Sequence, residues 1–495
     1  MMKVSSALRP LTILYLLLPA VLFSAGWLRL PVAVLNIGML LVFAWAQIRA
    51  LVQTRLGRGE FRAHWGVWLS VAVVLLGWVL LSGVGGFGFQ VKDYDASNAL
   101  LRDLIFQPWP LTITLNGEPL KYVYYLAYFL PAAAVGKLLG WAAANYFLLA
   151  WTVVGVGLSF GWFAHFVNAP VRRGAWLAIF FCFAGGLDFF GHLFFQNPAS
   201  SISAVTEWWA GYFQYSGNTT LFFWVPQQAL PGWLMTGLVL SMFERLNDSR
   251  ELGLIVALGL LWSPLAVIGL LPFCVLLIFE QRSMRPGRSW WLENFFGLWL
   301  VFVHALYISS NRLDFPKGFI GSTQSGFGLD ALKVLPVFWA LEFALLGGLV
   351  AWIYFYRASY LLANEKPSET ETRWLVVSLV TLIALPLFRF GVNNDLVMRG
   401  GIPALFVLWI IVAKLLFTLS VESRTAVRAA WLTVLLMVCV GMYSGLYAVT
   451  LSVRKYHAGP PALMEVPESA SANTLEIVSQ RLGDGDSLFY RLFGK

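Results

Sequence analysis

The sequence predicts an all-α fold, a polytopic bundle of transmembrane helices, on three observations. Hydrophobic residues make up 59% of the 495 positions and charged residues only 12%, with a mean hydropathy of +0.72, far from the composition of a water-soluble domain. Apolar runs of roughly 20 residues recur along almost the whole length, as needed to cross a hydrocarbon core about 30 Å thick with every backbone group satisfied inside a helix. The 23 Trp and 17 Tyr crowd near the ends of these runs, where amphipathic rings sit at headgroup level.

The runs give about 13 spans: 11–29, 31–52, 65–84, 143–166, 175–195, 222–244, 252–262, 264–279, 290–310, 330–356, 374–389, 401–420 and 428–450. The opening MMKVSSALRP carries two positive charges before an apolar segment, with no small-residue cleavage site and polar stretch after it, and reads as a retained first helix. Residues 252–279 are divided because Ser263-Pro264 interrupts them, proline disfavouring helix at the residue before it. Basic loops set the orientation: Arg55, Arg58 and Arg62, then Arg172 and Arg173, then Arg282, Arg285 and Arg288 share the cytoplasmic side. They do so only if 122–140 dips into the interface; a full crossing there gives 14 spans. Loops 85–121, 196–221, 311–329 and 390–400 then face outward. The chain divides into a bundle, 1–450, and a polar outward tail, 451–495, too short for a domain with its own core. Residues 357–373 form a polar cytoplasmic linker.

Several chemistries find no footing. The net charge of +9 comes from short loop clusters without one basic face, which fits topology sorting and not nucleic acid. Cys182, Cys274 and Cys439 each lie in an apolar run without disulfide or zinc spacing. GVGGFG at 83–88 matches a dinucleotide fingerprint in letters alone, since no βαβ unit surrounds it. No loop is long enough to hold a nucleotide sugar, and no metal-ligand cluster stands out, although a divalent cofactor is left open.

The stretch VKDYDASNALLRDLI at 91–105 carries the chemistry. Asp95 reads as the N-cap of a short helix 96–106 whose apolar face is Ala96, Leu100, Leu101, Leu104 and Ile105, lying along the membrane surface. Asp93 falls outside that helix, beside Lys92; Asp103 reads as a solvated charge. Pro108-Trp109-Pro110 ends the helix, Gly117 permits a turn, and Lys121 then precedes Tyr122, Tyr124, Tyr125 and Tyr128. These tyrosines read either as an aromatic belt or as a binding surface. Asp188 and His192, one helical turn apart near the outer end of a span, read as a satisfied internal pair.

An acidic motif after an early span, a surface helix and a G-x-P-L-x-Y-x-Y-Y approach to the membrane resemble the first outer loop of the GT-C glycosyltransferase superfamily. WVPQQALPGW at 224–233 and NNDLVMRGGIPALF at 393–406 are similar to motifs of uncharacterised bacterial members. The resemblance implies a bacterial inner-membrane enzyme with a periplasmic site, moving a sugar from a polyprenyl-phosphate donor to a glycan, lipid or protein acceptor. It assigns the catalytic carboxylate to Asp93, with Asp95 second. The chemistry agrees, since a hydroxyl acceptor needs a base and a departing phosphate needs nearby positive charge. Lys92, Lys121, Arg102, Arg389 and Arg399 are the candidate cations, Arg399 foremost, although Asp395 four residues before it is placed to pair with it. Glu207, Gln227 and Gln228 are candidates for sugar hydroxyls. The alternatives are a lipid-sugar transporter or flippase, and a non-catalytic subunit of an envelope polysaccharide system.

Overall fold

The computed structural model describes residues 2–54, 64–115, 118–195, 206–244, 249–281, 288–312, 315–357, 367–419, 425–456, 465–470 and 481–495. Arg55, Arg58, Arg62, Arg282 and Arg285, much of the 357–373 linker, the first half of loop 196–221 and Gly117 lie outside them. In chain order the helices begin with α1 (Met2–Trp27), α2 (Leu30–Gln53), α3 (Trp65–Leu81) and α4 (Asp93–Phe106). Strands β1 (Thr112–Leu115) and β2 (Glu118–Tyr122) follow, then α5 (Leu130–Leu139), α6 (Trp141–Val167), α7 (Gly174–Phe183), α8 (Asp188–Phe195), α9 (Asn218–Trp224) and α10 (Pro226–Phe243). Next come α11 (Leu252–Trp262), α12 (Pro264–Gln281), α13 (Arg288–Ser309), β3 (Lys317–Phe319), α14 (Leu329–Trp339) and α15 (Leu345–Trp352), the last two joined through a π-turn at Ala340–Ala344. The chain ends with α16 (Glu369–Ala384), β4 (Phe388–Phe390), α17 (Asp395–Leu419), α18 (Thr425–Gly441), α19 (Tyr443–Arg454), β5 (Leu482–Gly483) and α20 (Leu488–Leu492).

Among the described residues ten helical stretches are long and apolar enough to cross a membrane. Of the 13 predicted runs, 65–84 and 252–262 form shorter apolar helices, and 222–244 is divided between α9 and α10. Trp65–Leu81, Leu130–Leu139 and Leu252–Trp262 are shorter apolar helices, and at 1.5 Å per residue the 10-residue Leu130–Leu139 reaches only about 15 Å, consistent with a segment that dips without crossing. The break expected at Ser263-Pro264 divides α11 from α12. The run 175–195, expected as one helix, is also broken: Ala184–Leu187 lies between α7 and α8. A Cβ on Gly185 would come within 2.9 Å of the Gly441 carbonyl oxygen, so two chain breaks meet backbone to backbone there. The buried helices α10 and α17 fill the centre, whereas α2 turns Leu30, Val34, Leu41, Val42 and Trp45 outward as a lipid-facing wall would.

The fold is mostly helical but not purely α. β1 and β2 pair antiparallel, and β5 from the C-terminal segment adds a third strand through Lys121↔Gly483 and Tyr122↔Leu482. β3 and β4 form a second antiparallel pair, Gly318 opposite Arg389. Residues 481–495 are not a loose tail. Phe489 is fully buried against Phe23 and Tyr307, and the backbone binds Arg29 N to Phe493 O at 2.8 Å and Lys495 N to Trp27 O at 2.9 Å.

Candidate functional site

Backbone geometry first corrects the reading of 91–106. Turn bonds from Tyr94 N to Val91 O and Asp95 N to Lys92 O start α4 at Asp93, so Asp95 is not its cap and Asp93 lies inside its first turn. No side-chain cap is needed, and two carboxylates in the first turn are favoured by the positive end of the helix dipole. The predicted apolar face, Ala96, Leu100, Leu101, Leu104 and Ile105, is buried as expected. Asp103 is not a solvated charge: it is buried, pairs with Arg102 at 2.7 Å, and accepts from Ser469 Oγ and Ala470 N at 2.9 Å each.

Three elements converge on Asp93. α17 begins at Asp395, six residues earlier than the apolar run suggests, and so carries Arg399 on its first turns, ion-paired to Asp395. The turn after β2 brings Tyr124 and Tyr125, their rings tilted at 31° with centres 3.9 Å apart. The third is Arg481, which the sequence reading missed. Its Nη1 donates to Ala96 O at 3.2 Å and Tyr122 Oη at 3.0 Å, and its guanidinium lies 4.4 Å from the Tyr124 ring centre. The tail gave no local signal for this, because strand pairing to β2 is a contact across some 360 residues.

Asp93 lies exposed to water at the start of α4. Partial desolvation raises its carboxyl above the usual range; Arg399 and Arg481 pull it down, and Asp395 and Asp95 push it up. Water still reaching the group screens these effects, so the direction is clear and the energy small. Burial pushes the Tyr122 and Tyr125 phenols up, keeping them neutral. The site therefore offers a carboxylate within the electrostatic reach of two guanidinium groups, with neutral phenols in the same neighbourhood.

The remaining expected residues divide. Lys92 and Asp95 stay exposed beside the site. Lys121 turns away, its Nζ 3.3 Å from Lys495 O and 5.1 Å from the Tyr490 ring centre. Arg102 is engaged by Asp103. Arg389 donates to the carbonyls of Ser325, Gly391 and Val392 and lies 4.0 Å over the Phe327 ring, a post bracing the β3–β4 loops. Gln227 and Gln228 are buried at the start of α10, where Gln228 Oε1 accepts from Ser263 Oγ at 3.1 Å across the α11–α12 break.

Glu207 belongs to a second, interior cluster. It accepts from Gln214 Nε2 and Gly217 N, at 3.0 Å each, and burial raises its carboxyl. Around it stand Asp188, which accepts from Ser444 Oγ at 3.2 Å, and Glu342, which accepts from Trp209 Nε1 at 3.0 Å. Glu342 falls in the π-turn at the midpoint of the Leu329–Phe355 span. Asp188 and Glu342 are buried against each other and share a hydrogen bond, which requires one of the two carboxyls to hold a proton. Among the described residues no group of three or more His, Cys, Asp or Glu is arranged to hold a metal ion.

A cleft of about 450 Å³ runs beside the first site, lined by Ile268 and Pro272 of α12, Val376, Val380 and Ala384 of α16, and Leu396 of α17. Thr381 is its polar exception, and its hydroxyl is already bonded to Val377 O at 2.7 Å. Leu396 sits one residue from Asp395, so the head of the cleft adjoins the charged cluster. The helices α12 and α17 cross there in close contact: a Cβ on Gly269 would lie 2.7 Å from the Gly400 carbonyl carbon. Compared with protein-family models, curated proteins and solved structures, the chain matches none.

Proposed function

We propose that the protein is an integral-membrane glycosyltransferase that moves a sugar from a polyprenyl-phosphate donor to a hydroxyl acceptor at the outer face of a bacterial inner membrane. The observation that carries this reading is a carboxylate that feels two arginines, one of them on the helix whose Leu396 lines an apolar cleft. The cleft suits an isoprenoid tail, and the arginines suit its phosphate. Asp93 takes the acceptor's proton as the oxygen bonds to the anomeric carbon; the bond from that carbon to the phosphate oxygen breaks, and the phosphate leaves with the electron pair. Asp95 and Lys92 at the exposed rim border the path by which an acceptor arrives. The test is transfer by the reconstituted chain with a panel of polyprenyl-phosphate sugars. Asp93→Asn is expected to abolish transfer at unchanged thermal stability; a fully active Asn variant removes the assigned base.

A second reading, a lipid-sugar transporter, is favoured by the interior cluster, where broken helices and buried carboxylates meet. It predicts that Glu342→Gln stops lipid-sugar flipping in vesicles while Asp93→Asn does not.

A further inference from the structure

The expected cations around Asp93 are not equivalent. Arg399 is already paired with Asp395. Arg389 gives its donors to three backbone carbonyls. Arg102 pairs with Asp103, and Lys121 is turned to the C-terminal segment. Arg481 differs: its partners are a backbone carbonyl, a phenol oxygen and an aromatic face, all neutral. Both hydrogen bonds leave from Nη1, so the edge formed by Nε and Nη2 keeps three N–H donors for another acceptor. That edge is the side-on fork that matches two oxygens of a phosphate.

The guanidinium is also held in place before any ligand arrives. Val123 N donates to Arg481 O at 2.8 Å, the next two residues are the β5 strand, and Arg312 N donates to Leu482 O at 2.9 Å. Strand pairing fixes the backbone while Tyr122 and Tyr124 fix the side chain, so little side-chain freedom remains to be lost on binding.

Resting on the glycosyltransferase reading, we propose that Arg481, delivered by the C-terminal strand, is the group that holds the phosphate of the ligand beside Asp93, and that Arg399 serves to shape the site through its pairing with Asp395. The chemistry recognised is a phosphate with two free oxygens, whether on a lipid headgroup or as the free anion.

The test measures binding of a polyprenyl phosphate, the polyprenol of equal length and inorganic phosphate to the full chain in nanodiscs. Arg481→Ala is expected to weaken polyprenyl phosphate about tenfold to a hundredfold, the loss of a charge-assisted contact, and to leave polyprenol unchanged. Arg481→Lys, which keeps the charge but not the fork, falls between, and is read in place of the alanine variant if that one does not fold. Unchanged phosphate binding in Arg481→Ala, with the loss appearing in Arg399→Ala, overturns the assignment and leaves the glycosyltransferase reading standing. A parent chain that binds polyprenol as tightly as polyprenyl phosphate, and no inorganic phosphate, overturns the proposal outright and counts against a phospholipid donor too. Inorganic phosphate held through Arg481 with no gain from the isoprenoid tail upholds the anion site and defeats the lipid donor.

Discussion

Replacing Gly269 with alanine tests whether the cleft and the charged cluster form one working unit. The added Cβ would lie 2.7 Å from the Gly400 carbonyl carbon and 3.0 Å from its Cα, nearer still to the carbonyl oxygen, where real Cβ atoms keep at least 3.0 Å. The neighbours struck are backbone, which cannot swing aside, so α12 and α17 must part by about 1 Å, at a cost of roughly 1–3 kcal/mol for overpacking. Arg399 precedes Gly400 on α17, and Ile268 precedes Gly269 in the cleft wall, so the displacement reaches both. A misplacement of about 1 Å at a reacting site costs about a hundredfold in rate. The control is Gly157→Ala on α6, where nothing lies within 4 Å of the new Cβ. There alanine is expected to be neutral or stabilising by about 0.5–1 kcal/mol, since glycine is the poorer helix former. Thermal unfolding in detergent, scored beside transfer rate and polyprenyl-phosphate binding, reads both effects. A Gly269→Ala chain with the parent's melting temperature and the parent's rate would refute the close crossing and its link to the site.

Other perturbations follow from single contacts. Val380→Trp fills the cleft without touching a charged group, and is expected to weaken polyprenyl phosphate at least tenfold while sparing inorganic phosphate, in the same nanodisc titration. Phe489→Ala empties a fully buried position that anchors the C-terminal segment, and at about 3–5 kcal/mol it should expose that segment to limited proteolysis before the bundle melts. As a base Asp93 must be ionised, so the rate falls as pH drops through its raised value; removing Arg481, which lowers that value, shifts the acid limb of the pH–rate profile upward. For stability the sign is opposite: a carboxyl raised in the folded chain contributes fully below its unfolded value and loses that contribution as pH rises through the folded one. Asp93→Asn should flatten that slope in melting curves.

Much of this arrangement was written locally in the chain. Composition and run length gave the membrane bundle, Ser263-Pro264 gave the α11–α12 break, and the apolar spacing of Ala96, Leu100, Leu101, Leu104 and Ile105 gave the buried face of α4. The pairing of Asp395 with Arg399, four residues apart on one helix, was among the expected groupings. A break is illegible where apolarity continues across it: Gly185 and Gly186 interrupt the helix expected over 175–195 without interrupting its hydropathy. The β1–β2 hairpin is legible as an Asn-Gly pair between TITL and EPLKY, whereas Gly117 by itself predicts only a turn. Asp103 could not be recognised as buried, because its partners Ser469 and Ala470 stand more than 360 positions away. Arg481 was hidden for the same reason.

The pairing of β5 with β2 bears on biogenesis. Residue 93 leaves the ribosome early and residue 481 nearly 390 positions later, so α1 to α19 insert into the bilayer while the cluster still lacks one of its two arginines. At translation speeds of about 5–20 residues per second, that interval spans tens of seconds. Throughout it the nascent chain holds Asp93 and Arg399 without Arg481, which arrives only when β5 pairs with β2.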